Sequence, residues 1–192
     1  MRLEEICDIV IASAVLAFVF SYEGISRIGD FISNLPLAVF AVVTGFILHE
    51  LAHRYFARRY GAHAEFKMWK EGLLLAIGIA LLTNGAFVFA APGAVMIYPR
   101  SSLWGHTTLT KRKMGIIAIA GPVVNIILAS IFLVINVYYP SQLFKLGALV
   151  NIWLALFNML PIPPLDGSKV FYWDKRIWVA SFVTILAMFL VL

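Results

Sequence analysis

The segment His49-Glu50-Leu51-Ala52-His53 sets two imidazoles four residues apart with a carboxylate beside the first. On an α-helix, residues i and i+4 share a face, so both rings can reach one cation. Zinc suits such a pair, because it accepts imidazole nitrogens in a tetrahedral shell. Glu50 projects next to them, where a carboxylate can take a proton from a water that the metal has acidified. The spacing therefore predicts hydrolytic chemistry with one Zn2+ per chain. HExxH alone also turns up by chance at polar helix ends. Here it occupies the last third of the apolar stretch Leu35–Phe56. Ionisable groups inside a membrane span are costly and by default indicate function, which weighs against coincidence.

A zinc site needs a third protein ligand. Cys7 is the only cysteine, so a thiolate cluster is excluded and His, Asp or Glu must serve. His63 and His106 lie in polar segments, where a lone histidine is ordinarily a surface residue. Asp166 is the better candidate. It follows Pro161, Pro163 and Pro164, which cannot continue a helix, and precedes Gly167, which permits a tight turn. A chain that unwinds there can aim one carboxylate at a site on another helix. The plainer alternative is an interfacial aspartate capping a turn.

The elements that must position these groups are membrane elements. Of 192 residues, 62% are hydrophobic and only 13% charged, against about 25% charged in a soluble domain. Lipid must cover part of such a chain. A helical span takes about 20 apolar residues. The candidates are Ile6–Tyr22, Leu35–Phe56, Met114–Tyr139, Leu146–Leu160 and Ile177–Leu192. Glu4, Glu5 and Asp8 against Arg2 are the wrong leader for a secretory signal, so the first stretch is expected to stay in the mature protein. Gly72–Pro99 is uncharged but broken by Thr83-Asn84-Gly85 and Pro92-Gly93. It reads as a short helix over Leu73–Leu82 and a re-entrant loop or hairpin over Ala86–Ile97.

The net charge of +5 contains no basic stripe of the kind that binds nucleic acid. It reports orientation instead. With the C-terminal end of the second span in the cytoplasm, all of the 15 Lys and Arg except Arg27 and Lys145 fall on the cytoplasmic side, Arg100 among them. His49 then lies roughly 12 Å below that interface.

HExxH on one span, with Asn158-Met159-Leu160-Pro161 and Leu165-Asp166-Gly167 (NxxPxxxLDG) at the end of a later one, resembles the site-2 protease family of intramembrane zinc metalloproteases. Between them, Gly121-Pro122-Val123-Val124-Asn125 resembles the family's GPxxN segment. The resemblance implies zinc held by His49, His53 and Asp166, with Glu50 as catalytic acid/base. It implies transmembrane segments of other proteins as substrates in regulated intramembrane proteolysis, and an edge strand within Phe87–Ile97 that holds the unwound substrate. Asn125 and Asn158 each carry two readings, interhelical packing and contact with substrate or oxyanion.

The expected fold class is an all-α polytopic membrane protein. It would have five to six transmembrane helices and a re-entrant or β element around 86–97. Residues 1–192 are expected to form a single metalloprotease domain in the lipid bilayer, without a PDZ or CBS domain. Its core helices are placed over 35–60, 114–139 and 146–167, with the active site toward the cytoplasmic side of a prokaryotic cell membrane. The last apolar stretch stops abruptly at Leu192, as in a membrane core trimmed from a longer chain. Three rival readings fit the residues less well. A prenyl-protein processing peptidase takes a later Glu as ligand, and no Glu follows Glu71. A metal transporter would carry polar groups on several spans and an internal repeat. A non-catalytic binder has no use for Glu50.

Overall fold

The computed structural model describes residues 2–99, 101–102, 105–106 and 109–192. It is mostly helical, and each apolar stretch starts and stops where local chemistry directs. Helix α1 (Leu3–Ser21) opens with Glu4 and Glu5 in its first turn, where acidic charge meets the positive end of the helix dipole. A short 3-10 turn over Ile25–Arg27 leads into α2 (Ile28–Arg59), which closes on Arg58 and Arg59 at the complementary end. This helix begins seven residues before the expected Leu35 and runs through Pro36. Pro36 leaves the Ile32 carbonyl without its helical partner. Beyond it, Ala38, Ala41 and Val42 are fully buried, and that packing holds the helix.

Helix α4 (Lys111–Tyr138) is capped by Thr110, whose hydroxyl accepts from the Lys113 N–H. Helices α5 (Gln142–Asn158), α6 (Asp166–Trp173) and α7 (Lys175–Val191) complete the bundle, α7 being capped by Asp174. The expected core helix over 146–167 is thus two pieces. Helix α5 ends at Asn158, the proline-rich segment turns, and Asp166 is the first residue of α6. Gly167 is helical rather than the pivot of a turn. Its missing side chain lets the Met159 and Leu160 carbonyls lie against it.

Helices α2, α4 and α5 pack on one another at the centre, with α1 against α2, α6 against α4, and α7 against α5 and α6. Two stretches, Ile25–Arg59 and Lys111–Tyr138, are long and apolar enough to cross a membrane, and the apolar helix Gln142–Asn158 is shorter.

The β element differs from the expected hairpin. Residues 86–92 are irregular, and Gly93–Pro99 (β2) pairs antiparallel with Ala62–Met68 (β1), with Phe66 opposite Val95. Helix α3 (Lys70–Leu82) lies between the two strands in sequence. A second ladder joins Ser101–Ser102 (β3) to Gly105–His106 (β4). Arg100 lies outside the described residues. The far edge of β1 is closed by side chains of α1. The Phe66 N–H donates to Glu5 at 3.0 Å and the Met68 N–H to Asp8 at 3.2 Å. Glu5 also forms a buried ion pair with Arg54 of α2.

Candidate active site

The helical register of α2 puts His49 and His53 on its buried face, toward α4. Their Nε2 atoms stand 2.9 Å apart. Asp166 comes from the other side, carried by the first turn of α6, with Oδ2 at 2.9 Å from His53 Nε2 and 3.4 Å from His49 Nε2. All three residues are buried. Lys169, one turn along α6, holds the other oxygen, Oδ1, at 3.1 Å. Asp166 is therefore oriented from behind and presents Oδ2 to the histidines.

The outer nitrogens of the two rings decide their tautomers. His53 Nδ1 lies 2.7 Å from the Ile117 carbonyl, which can only accept, so Nδ1 carries the proton. His49 Nδ1 lies 2.6 Å from Asn125 Oδ1. The Asn125 amide is oriented by its other end, where Nδ2 donates to the Gly45 carbonyl at 3.1 Å and to Asn151 Oδ1 at 2.9 Å. His49 Nδ1 is therefore the donor as well. With both outer nitrogens serving as donors, the neutral rings turn their Nε2 lone pairs toward one another and toward the Asp166 carboxylate oxygen. Such a set of three is balanced by a cation among them, a metal ion or a proton. His49, His53 and Asp166 form a group whose ligand atoms all lie within 4.8 Å of one another. Their donor chemistry, two imidazoles and a carboxylate, is that of zinc. Gly121 of α4 backs this space. A Cβ built there would sit 2.5 Å from the Nε2 of both His49 and His53.

Glu50 lines the same small cavity together with the three convergent groups, Asn158, and Gly93, Ala94 and Val95 of β2. Its Oε2 is buried without a protein partner, as befits a carboxylate that works on water or substrate. The two asparagines left open by the sequence part company here. Asn125 is fully buried and engaged at both ends. Asn158 faces the cavity and donates through Nδ2 to the Leu154 carbonyl at 2.9 Å. His63 sits on β1 opposite Tyr98 and is not part of the convergent group.

Sequence reasoning missed the Ile117 carbonyl, Lys169 and Asn151. A backbone acceptor leaves no mark in a sequence. Asn151 did leave one, an amide in an apolar helix seven residues before Asn158 and so on nearly the same face.

Two imidazoles and a carboxylate that could hold a divalent ion, beside a carboxylate with a free oxygen, fit a zinc-dependent hydrolase. Comparison with known proteins narrows this class. Residues 37–142 match Peptidase family M50. A Methanocaldococcus jannaschii protein named "Putative zinc metalloprotease MJ0611" is 42% identical over 179 residues, covering 91% of this chain and 86% of the relative. "Putative zinc metalloprotease YwhC" of Bacillus subtilis is 31% identical, covering 72% of this chain and 69% of the relative. "Zinc metalloprotease MJ0392" of M. jannaschii is 28% identical over 65% of this chain and 30% of its own length. No solved structure matches the chain. The chain belongs to Peptidase family M50, the site-2 protease family, and is a zinc metalloprotease.

Proposed function

We propose that this chain is a multi-pass membrane protease, a single domain over residues 1–192, that hydrolyses peptide bonds within transmembrane segments of other membrane proteins. His49, His53 and Asp166 hold the zinc, and Glu50 is the catalytic acid/base. The observation that carries this reading is the buried convergence of two imidazoles from the apolar helix α2 and one carboxylate from α6, with the unpartnered Glu50 oxygen beside them. Five to six apolar segments cross or enter the bilayer, and the site opens toward the cytoplasm, the side on which all but two of the basic residues fall.

Bound at this site, zinc supplies Lewis acidity toward a water molecule and the scissile carbonyl. Glu50 takes the proton of the attacking water and hands it to the leaving amine, so that one carboxylate serves as base and then as acid. Asn158, facing the cavity, offers its amide to the substrate backbone. Asn125 acts one step back, by holding His49.

A helical substrate hides its peptide bonds and must be held extended. Strand β2 is suited to this. The outward N–H groups of Phe66 and Met68 fix the ladder's alternation, so their partners Val95 and Gly93 turn their own N–H and C=O groups away from β1. With the β1 edge closed by Glu5 and Asp8, the β2 edge beside the catalytic cavity is the one left for strand addition. An apolar cavity of about 500 Å3 flanks it, lined by Trp69, Phe89, Met96, Phe157 and Leu160 among others, with room for large apolar side chains.

The test is zinc content and cleavage of a transmembrane substrate in detergent, for wild type beside Glu50→Gln. Stoichiometric zinc in both, with cleavage in wild type alone, is the expected result. Cleavage by Glu50→Gln would remove Glu50 from its role. A zinc-free wild type would sink the metal site.

A further inference from the structure

The HExxH helix does not orient its own first histidine. That task passes through two amides on two other helices. Asn151 of α5 is fully buried. Its Nδ2 donates to the Gly147 carbonyl one turn back, at 2.9 Å, which leaves its Oδ1 pointing at α4. There it accepts from Asn125 Nδ2 at 2.9 Å, and Asn125 Oδ1 in turn meets His49 Nδ1 at 2.6 Å. The order of donors and acceptors allows one arrangement. Flipping the Asn125 amide would set its oxygen against the Gly45 carbonyl and Asn151 Oδ1, and its NH2 against the His49 N–H. Flipping Asn151 would set its oxygen against the Gly147 carbonyl. The chain also has a built seat. Asn151 Oδ1 lies 2.8 Å from where a Cβ on Gly45 would be, so Gly45 is the residue that lets this amide reach the interface one turn before His49.

We propose that Asn151 is a positioning residue for the metal centre. Through Asn125 it fixes the tautomer and ring orientation of His49, and so the direction of the lone pair offered to zinc. The proposal rests on the reading of His49 as a zinc ligand. Its physical basis is general: partners that hold the outer nitrogen of a ligating histidine typically change metal affinity by about 10–100-fold when removed. An asparagine kept in an apolar helix merely for packing would affect stability without selecting a tautomer.

The test uses the full chain in detergent, comparing wild type with Asn151→Leu, Asn151→Asp, Val150→Ala and His49→Ala. Zinc affinity is read by chelator competition, and the ligand field by the visible spectrum of the Co2+-substituted protein. Asn151→Leu removes both donor and acceptor and is expected to weaken zinc binding by about 10-fold or more and to alter the Co2+ spectrum. Asn151→Asp keeps the acceptor for Asn125 and, as the protonated acid that this buried site favours, a donor for the Gly147 carbonyl, and is expected to recover most of the affinity and the wild-type spectrum. Val150→Ala opens a void at a fully buried neighbour on α5 and is expected to lower the melting temperature with affinity and spectrum unchanged. If Asn151→Leu does not fold, Asn151→Ser takes its place in the same comparison. Wild-type affinity and spectrum in the folded Leu or Ser variant would overturn the proposal. So would an equal loss in Val150→Ala, which would show that α5 packing alone is at work. His49→Ala separates the two levels: if it binds zinc like wild type, the ligand assignment itself fails, whatever Asn151 does.

Discussion

Two polar clusters lie along α2, near Asn34 and near His49, about 22 Å apart along the helix, and they differ in whether donors and acceptors balance. Near the first, Arg27 donates to Asp30 at 2.8 Å and pairs with Glu23, Asn34 donates to Glu23 at 3.1 Å, and Gln142 donates to Asn34. Every acceptor named there has a donor, and Arg27 and Gln142 are exposed to solvent. Near the second, two Nε2 lone pairs and the Asp166 Oδ2 converge in a buried space, while their protons are engaged outward on Asn125 and the Ile117 carbonyl. The first cluster is balanced as folded; the second is a group that could hold a metal ion. That contrast marks the functional end of the bundle better than the number of polar residues does, since both clusters are of similar size.

The comparison breaks most severely at Asp166. Asp166→Ala removes the carboxylate that stands within 3.4 Å of both histidine Nε2 atoms and is expected to abolish stoichiometric zinc and bring cleavage to background, measured by metal analysis and a gel assay. Gly121→Ala comes next. Its methyl would stand 2.5 Å from both Nε2 atoms, in the space where their lone pairs meet. Zinc affinity should fall by about 10–100-fold, the scale seen when the surroundings of ligating residues are disturbed. A Gly121→Ala protein with wild-type affinity would show that the cation lies elsewhere. A smaller effect reads the same contrast through stability. Zinc at about 100 times its dissociation constant should stabilise the wild type by about 2.7 kcal/mol, and His49→Ala not at all, by thermal unfolding with and without chelator.

What was legible in the sequence follows from the range over which each interaction acts. The His49–His53 pairing is a property of one helix turn, and the break before Asp166 is a property of its prolines, so both could be read residue by residue. The β1–β2 ladder could not. Strand β2 reads in sequence as part of a re-entrant loop or hairpin because it begins at the Pro92-Gly93 break of an uncharged stretch, and its partner Ala62–Met68 lies on the other side of α3. Nothing local specifies a pairing across that gap. Helix α2 starts earlier than the apolar stretch for a related reason: Arg27 and Asp30 read as a polar loop, whereas the helix begins at Ile28 and burial beyond Pro36 carries it through the proline. Asn125 was legible as a motif member but not in its role, which depends on Asn151, a residue of another helix.

The smallest effect tests the other cluster. Gln142 is exposed and donates to Asn34 from the first residue of α5. Gln142→Ala removes one neutral hydrogen bond that water can replace, so the expected loss is at the low end for such bonds, about 0.5 kcal/mol. Because the network near Asn34 closes on itself, the zinc-dependent part of the stability should be the same in Gln142→Ala as in wild type. The quantity to compare is therefore the difference between the zinc-loaded and chelated melting curves, not either curve alone. An unchanged difference keeps the two clusters independent. A reduced one would mean that the position of α5, which carries both Gln142 and Asn151, is read at the metal site from its far end, and that the two clusters belong to one network.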